Sequence, residues 1–175
     1  MSLQDVVEFG WGLVNSNSCF HWIIRDNLID GNPAVLPPEL EEVIKSKGFI
    51  ATWCSQEVLN HHLVGGFLTH GGWGSIIGSL SAGVPMICCP FSGDQRTNCA
   101  QMCREWEVGM EIERNVKRDE VEKLVRQLMD GVEGVKMRKK AKEWKKIAEI
   151  STKPNGSSSF DIEELVAEIC MISRN

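Results

Sequence analysis

Residues 53–95 read WCSQEVLNHHLVGGFLTHGGWGSIIGSLSAGVPMICCPFSGDQ, and their pattern decides the fold. A short apolar run at 66–69 has strand character and ends in His70-Gly71-Gly72. From Trp73 to about Ala82 the apolar period becomes helical, Gly83-Val84-Pro85 breaks it, and a second apolar run at 86–89 is stopped by Pro90. Strand, glycine loop, helix, turn and strand at these lengths make a βαβ unit, whose two strands run parallel.

The same alternation continues outward. Towards the N-terminus, residues 3–15 form a predicted amphipathic helix with Leu3, Val6, Val7, Trp11 and Val14 on one side, and 20–24 a buried strand that carries His21 into the core. Residues 26–38 are turn-rich, a short helix starts at Pro38 or Glu39 and runs to Lys45, 49–52 is a strand, and 58–61 a helical turn. Towards the C-terminus, 94–106 is helical, 109–112 a short edge strand, and 118–129 a helix with Val121, Leu124, Val125 and Leu128 inward. The Lys-rich stretch 136–146 is the solvated face of a further helix, with Trp144 and Ile147 on its buried side. Asn155-Gly156-Ser157 fits a glycosylation acceptor but reads better as a turn. The predicted class is α/β, a Rossmann-like parallel sheet with flanking helices, divided into a sheet domain at 1–152 and a linker with a C-terminal helix at 153–175.

Composition removes several function classes. With 19 Lys+Arg against 24 Asp+Glu the formal charge is −5, so there is no basic stripe to neutralise nucleic-acid phosphates. No stretch approaches the ~20 apolar residues of a membrane span. The first residues lack the basic segment and apolar run of a secretory leader, so a cytoplasmic location is expected. The seven cysteines, an odd number, read as reduced thiols, and without a CxxC pair or a Cys/His knuckle no metal is expected.

Chemistry concentrates where the strand delivers His70 and two glycines to a helix start. Unpaired backbone N–H groups and the positive end of the helix dipole there favour an anion, which makes this a phosphate site. Gly71 and Gly72 admit the anion to the backbone, Ser75 offers a hydroxyl from the first turn, and His70 an imidazole N–H. The dinucleotide fingerprint GxGxxG fails, because its third glycine falls on Ile77. The zincin motif HExxH is absent, and the adjacent His61 and His62 would point different ways on a helix.

Across 53–95, the residues Trp53, Gln56, Leu59, His61, Phe67, His70, Gly72, Trp73, Ser75, Gly83, Val84, Pro85, Pro90, Asp94 and Gln95 fall in the order of a long signature box. The box resembles that of plant-type family 1 UDP-dependent glycosyltransferases, and similarity extends through EFGWGLVNS and FHWIIR before it and EWEVGMEI after it. The resemblance implies the C-terminal, donor-binding half of a GT-B enzyme of plant secondary metabolism. Such an enzyme transfers a hexose, here glucose, from UDP-glucose to a hydroxyl of a small-molecule acceptor with inversion, and needs no metal or other cofactor. On that reading Trp53 stacks on uracil, the backbone of Cys54 reads the uracil edge, and Gln56 binds the ribose hydroxyls. His70, Gly72, Ser75 and the helix start hold the diphosphate, and the backbone of Trp73 with Asp94 and Gln95 grips the sugar.

The sequence departs from the family in places. Gly74 stands where the family has Asn, and Gly78 where it has the acidic residue that clasps the ribose. One residue is missing between Gln56 and His61, and Ser55 replaces a frequent Pro. Two glycines in a helix cost about 1 kcal/mol each relative to Ala, so a looser helix and weaker donor binding are expected. The family's catalytic His and its orienting Asp belong to an N-terminal half outside these residues, as does the first strand of the donor domain, a central one. No catalytic residue is therefore expected in this chain. The alternative reading is a truncated, catalytically incompetent chain that binds UDP or a partner.

Overall fold

A computed structural model describes residues 1–29 and 31–172. The elements run α1 (Leu3–Asn15), β1 (Phe20–Ile23), α2 (Pro38–Lys47), β2 (Gly48–Ala51), a 3-10 turn (Gln56–Asn60), β3 (Phe67–Thr69), α3 (Trp73–Ala82) and β4 (Met86–Cys88). They continue with α4 (Gln95–Ala100), which passes into a π-helical turn (Gln101–Glu105), then β5 (Gly109–Glu111), α5 (Arg118–Asp130), α6 (Val132–Ser151) and α7 (Ser157–Ile172). The α/β class and the βαβ unit are as the sequence predicts, with α3 spanning the same residues.

The named strands pair in parallel, in two pieces: β1 pairs with β2 from Phe20 opposite Gly48 to Ile23 opposite Ala51, and β3, β4 and β5 lie side by side in that order. Side-chain packing joins the pieces. Trp22 of β1 packs against the cluster of Val6, Leu36, Leu40 and Ile44, and also against the cluster of Phe9, Ile87, Val121 and Leu128. A third cluster, Ile76, Leu80, Met86, Cys99 and Met102 with Ala141 of α6, holds α3 and α4 to their side of β4. Burying side chains of this kind contributes about 1.5–3 kcal/mol each, so the clusters fix the helices that flank the site.

Four sequence expectations change. First, α1 begins with a capping box, Ser2 and Asp5 each accepting from the other's backbone N–H, but it buries two faces rather than one. Val6 and Val14 pack towards α2, Phe9 packs towards α5, Gly12 lies so close to Val121 that a Cβ would overlap it, and Leu3 is exposed. A helix wedged between two others has no single apolar stripe.

Second, β1 is only half-buried, and His21 is exposed rather than core, its ring 5.3 Å from that of Phe49 on β2. An apolar run fixes a strand, while burial depends on what covers its outer face. Third, Ile147 is exposed and α6 turns Ala141 inward instead, because the face of α6 that packs on α3 carries Ala141, with Lys142 and Lys145 against Gly83. Fourth, His61 and His62 follow the 3-10 turn rather than sit within a helix, so their rings stack, 4.6 Å apart, instead of diverging.

Residues 153–156 turn the chain into α7, which is exposed along nearly its whole length. Residues 173–175 of the predicted C-terminal segment lie outside the described residues.

Candidate donor-binding site

The loop from His70 to Gly72 is shaped by three anchors. Thr69, buried at the end of β3, accepts from the Gly71 N–H through its hydroxyl at 3.2 Å. Gly71 has φ +84°, the left-handed region, and its α-carbon lies against the Cys88 sulfur and the Gln95 carbonyl, so a side chain is excluded on both counts. Asn98, 9% exposed, donates one N–H of its amide to the Gly71 carbonyl at 3.0 Å and another to Asp94 Oδ2 at 2.8 Å.

Asn98 was not singled out from the sequence. Its signal is a polar residue on the inward side of a helix, beside Cys99 and one turn from Asp94. It carries structural information between the two halves of the candidate site, tying the loop after β3 to the start of α4.

The start of α3 faces this loop. Gly72 is the N-cap residue and no side chain caps the helix; its carbonyl accepts from the N–H of Ser75 and of Ile76. Among the described residues the N–H groups of Gly72, Trp73 and Gly74 have no hydrogen-bond acceptor, which leaves donors and the positive dipole end directed at the space above β3. The His70 ring lies beside Gly72, with Nε2 at the edge of that opening, and is exposed. Ser75 is half-buried in the first turn.

Gln56 and the two unexpected glycines form one arrangement. Gln56 Nε2 donates to the Gly74 carbonyl at 3.0 Å, and its amide lies across Gly78 in the space a Cβ would occupy. Gly78 therefore seats Gln56 on α3, which is continuous through both glycines. Gly74 has open space around it. Replacing Gly74 by Asn should raise stability by a few tenths of a kcal/mol through helix propensity. Replacing Gly78 by Glu should be nearly neutral, because the helical gain of about 1 kcal/mol offsets the loss of the Gln56 hydrogen bond. Thermal unfolding of the two variants checks this; a clear gain for Gly78→Glu would show that Gln56 contributes nothing there.

At the second helix start, Gln95 Oε1 accepts from the N–H of Phe91 and of Ser92, at 2.9 and 3.1 Å, closing the turn after β4. Asp94 precedes α4 without capping it, its carboxylate held by Asn98 and exposed to solvent. Trp53 and Cys54 leave the end of β2 and share no hydrogen bond with the loop. Trp53 is 75% exposed, so it is not a core aromatic. Trp73 is half-exposed and backed by Trp106 at 6.0 Å, whose ring in turn meets that of Trp144 at a tilt, 5.7 Å away. The structure thus brings Gln56, His70–Ser75, Gly78, Asp94 and Gln95 together at the C-terminal ends of β3 and β4, the position where open parallel sheets bind ligands.

Comparison with known proteins places this geometry. Residues 11–139 match the family model described as UDP-glucoronosyl and UDP-glucosyl transferase. The chain is 71% identical over 176 residues to UDP-glycosyltransferase 85C1 of Stevia rebaudiana, an alignment covering all of this chain and 36% of that protein. It is 54% identical over 168 residues to 7-deoxyloganetin glucosyltransferase of Catharanthus roseus, covering 95% of this chain and 34% of that one. The chain thus spans about a third of the length of these relatives.

Among solved structures, Os79 from O. sativa in complex with UDP superposes with a TM-score of 0.90 at 32% identity, over 96% of this chain and 38% of that one. The UGT2 of Phytolacca americana complexed with UDP-2fluoro-glucose and pterostilbene gives 0.86 at 33% identity, over 96% and 38%.

Proposed function

We propose, since the chain belongs to the UDP-glucoronosyl and UDP-glucosyl transferase family, that residues 53–95 bind the nucleotide sugar donor of a glucosyl transfer to a small-molecule hydroxyl. The observation that carries this reading is the uncapped N-terminus of α3 above a left-handed Gly71, with the N–H groups of Gly72 and Trp73 open. The free N–H groups of Gly72 and Trp73, with Ser75 and the His70 imidazole, are donors suited to a diphosphate. Trp53 offers uracil a flat apolar face, and Asp94 and Gln95 offer acceptors and donors to sugar hydroxyls. The donor is held without a metal, its charge met by the helix end. Glucose as the sugar is supported by the glucosyltransferase name of a relative 54% identical, and UDP as the carrier by the complexes of the structural neighbours.

The roles follow from these positions. Gln56, seated over Gly78, reaches the ribose by exchanging its bond to the Gly74 carbonyl for one to a hydroxyl. When the glycosidic bond to the β-phosphate breaks, negative charge grows on the departing UDP, and the helix N-terminus stabilises that charge more strongly than it does the ground state. Inversion follows from an acceptor oxygen attacking opposite the leaving diphosphate.

A second reading, a chain that binds UDP without transferring sugar by itself, is favoured by one observation. Among the described residues no histidine is hydrogen-bonded to a carboxylate: His61 Nδ1 accepts from the Leu63 N–H, and the His21 ring lies tilted against Phe49. A general base for the acceptor hydroxyl is then not assembled within these residues.

Calorimetric titration of UDP into the chain tests the first reading. Trp53→Ala should raise the dissociation constant about tenfold, since stacking a base on an aromatic contributes ~1–3 kcal/mol. Equal affinity would place uracil elsewhere. Incubation with UDP-glucose and a panel of phenols and terpenoid alcohols tests the second: glucoside above a heat-treated control would remove it.

A further inference from the structure

Three sulfurs stand in a row under the Gly71 loop. Cys88 ends β4 with its sulfur against Gly71, Cys99 follows on α4, and Cys103 lies one turn later in the π-helical segment. The Sγ atoms of Cys99 and Cys103 are 4.0 Å apart. Sulfurs of a disulfide lie ~2.0 Å apart, so joining these two requires them to close by about 2 Å.

Access to the row is one-sided. Cys88 and Cys99 are fully buried, whereas Cys103 is half-buried and lines a cavity of about 490 Å³ between the π segment and α6, walled by Glu107, Lys136, Lys139 and Lys140. Lys140 is paired with Glu107 at 3.1 Å and Lys136 with Glu133 at 2.7 Å, so the wall carries matched charges and admits a small neutral reagent. Hydrogen bonds from the flanking thiols hold the Cys99 thiol well below its ordinary range and push those of Cys88 and Cys103 up. The Cys103 thiol thus donates its hydrogen bond to the Cys99 sulfur, which is placed to take up the Cys103 proton.

We propose that Cys99 and Cys103 are a peroxide-sensitive dithiol, a modification site in which Cys103 is oxidised through the cavity and Cys99 closes an intrahelical disulfide. Cys103 passes its proton to the Cys99 thiolate beside it, and its sulfur attacks one oxygen of hydrogen peroxide; the O–O bond breaks, hydroxide leaves and takes up a proton from solvent, and Cys103 becomes a sulfenic acid. The Cys99 sulfur then attacks that of Cys103, giving up its proton to the departing hydroxide as the S–O bond breaks, and a second water leaves. Two thiols and one peroxide give one disulfide and two waters.

The test uses the 175-residue chain as it stands. It is treated with peroxide, remaining thiols are alkylated, and trypsin digestion is done without reductant. Cleavage after Arg96 and Arg104 releases residues 97–104, which contain both cysteines. The expected product is this peptide unalkylated and lighter by two hydrogens, becoming doubly alkylated after reduction; oxidation of Met102 adds an oxygen and is read separately. A doubly alkylated peptide at peroxide doses that oxidise the exposed Cys19 and Cys170 overturns the proposal, as does a bridge from Cys99 to Cys88. In Cys99→Ser, Cys103 should stop at a sulfenic acid that dimedone traps; an unmodified Cys103 there also overturns it.

Discussion

Gly71→Ala should destabilise the chain by about 3 kcal/mol and weaken UDP binding about a hundredfold. The backbone at φ +84° costs an L-residue ~1–2 kcal/mol, and the new Cβ meets Cys88 Sγ at 2.6 Å, an overpacking that adds ~1–3 kcal/mol. Neither neighbour yields easily: Cys88 is fully buried, and the Gln95 carbonyl at 3.3 Å belongs to the start of α4. The loop must therefore move, taking the N–H groups of Gly72 and Trp73 off the diphosphate position proposed above; hydrogen bonds to charged groups contribute ~1.5–3 kcal/mol each, hence the size of the expected binding loss. Gly93→Ala is the control, since Gly93 has φ +61° and open space around its α-carbon. It should cost only the backbone strain and leave UDP affinity unchanged. Chemical denaturation and calorimetry on the pair check both quantities; equal losses in the two variants would show that packing against Cys88 is immaterial.

Glu8→Ala should lower stability by about 2–3 kcal/mol, or roughly 5–10 °C in Tm. Its carboxylate, 13% exposed, accepts from the backbone N–H of Arg118 at 2.8 Å and from the Arg118 guanidinium, while that guanidinium lies over the Trp11 ring. Lys117 offers α5 no side-chain cap, so a carboxylate from α1 serves instead, meeting both an open N–H and the helix dipole. Arg118 is about half-exposed, which keeps the effect below that of a fully buried pair.

The same contact sets a pH dependence. Hydrogen bonding from Arg118 holds the Glu8 carboxyl below its ordinary value. A carboxyl with a lowered folded pKa contributes stability that is complete above the unfolded pKa of about 4.3 and is lost as pH falls through the folded value. Stability should therefore be level near neutrality and fall in the acid range, and Glu8→Ala should flatten part of that fall. An unchanged acid limb in the variant would mean that other carboxylates control it.

The sequence by itself determined the alternation of elements, the parallel sense of the strands and the place where a strand hands two glycines to a helix. These follow from local period and from glycine and proline punctuation, which a chain carries in its own neighbourhood. It also placed most of the candidate site, because that site is two consecutive strand-to-helix loops within some forty residues.

Only the tertiary structure decided what covers what. Gly71 is held by Asn98, 27 residues on, and α5 is capped by Glu8, 110 residues back. Gln56 occupies the space that Gly78 vacates, so that glycine is a seat for the Gln56 amide. His21 lies in an apolar run yet faces solvent, and α1 buries two faces because it is wedged between two helices. Hydrophobic period reports that a face prefers burial; which element arrives to bury it depends on contacts distant in sequence, and these leave no local pattern to read.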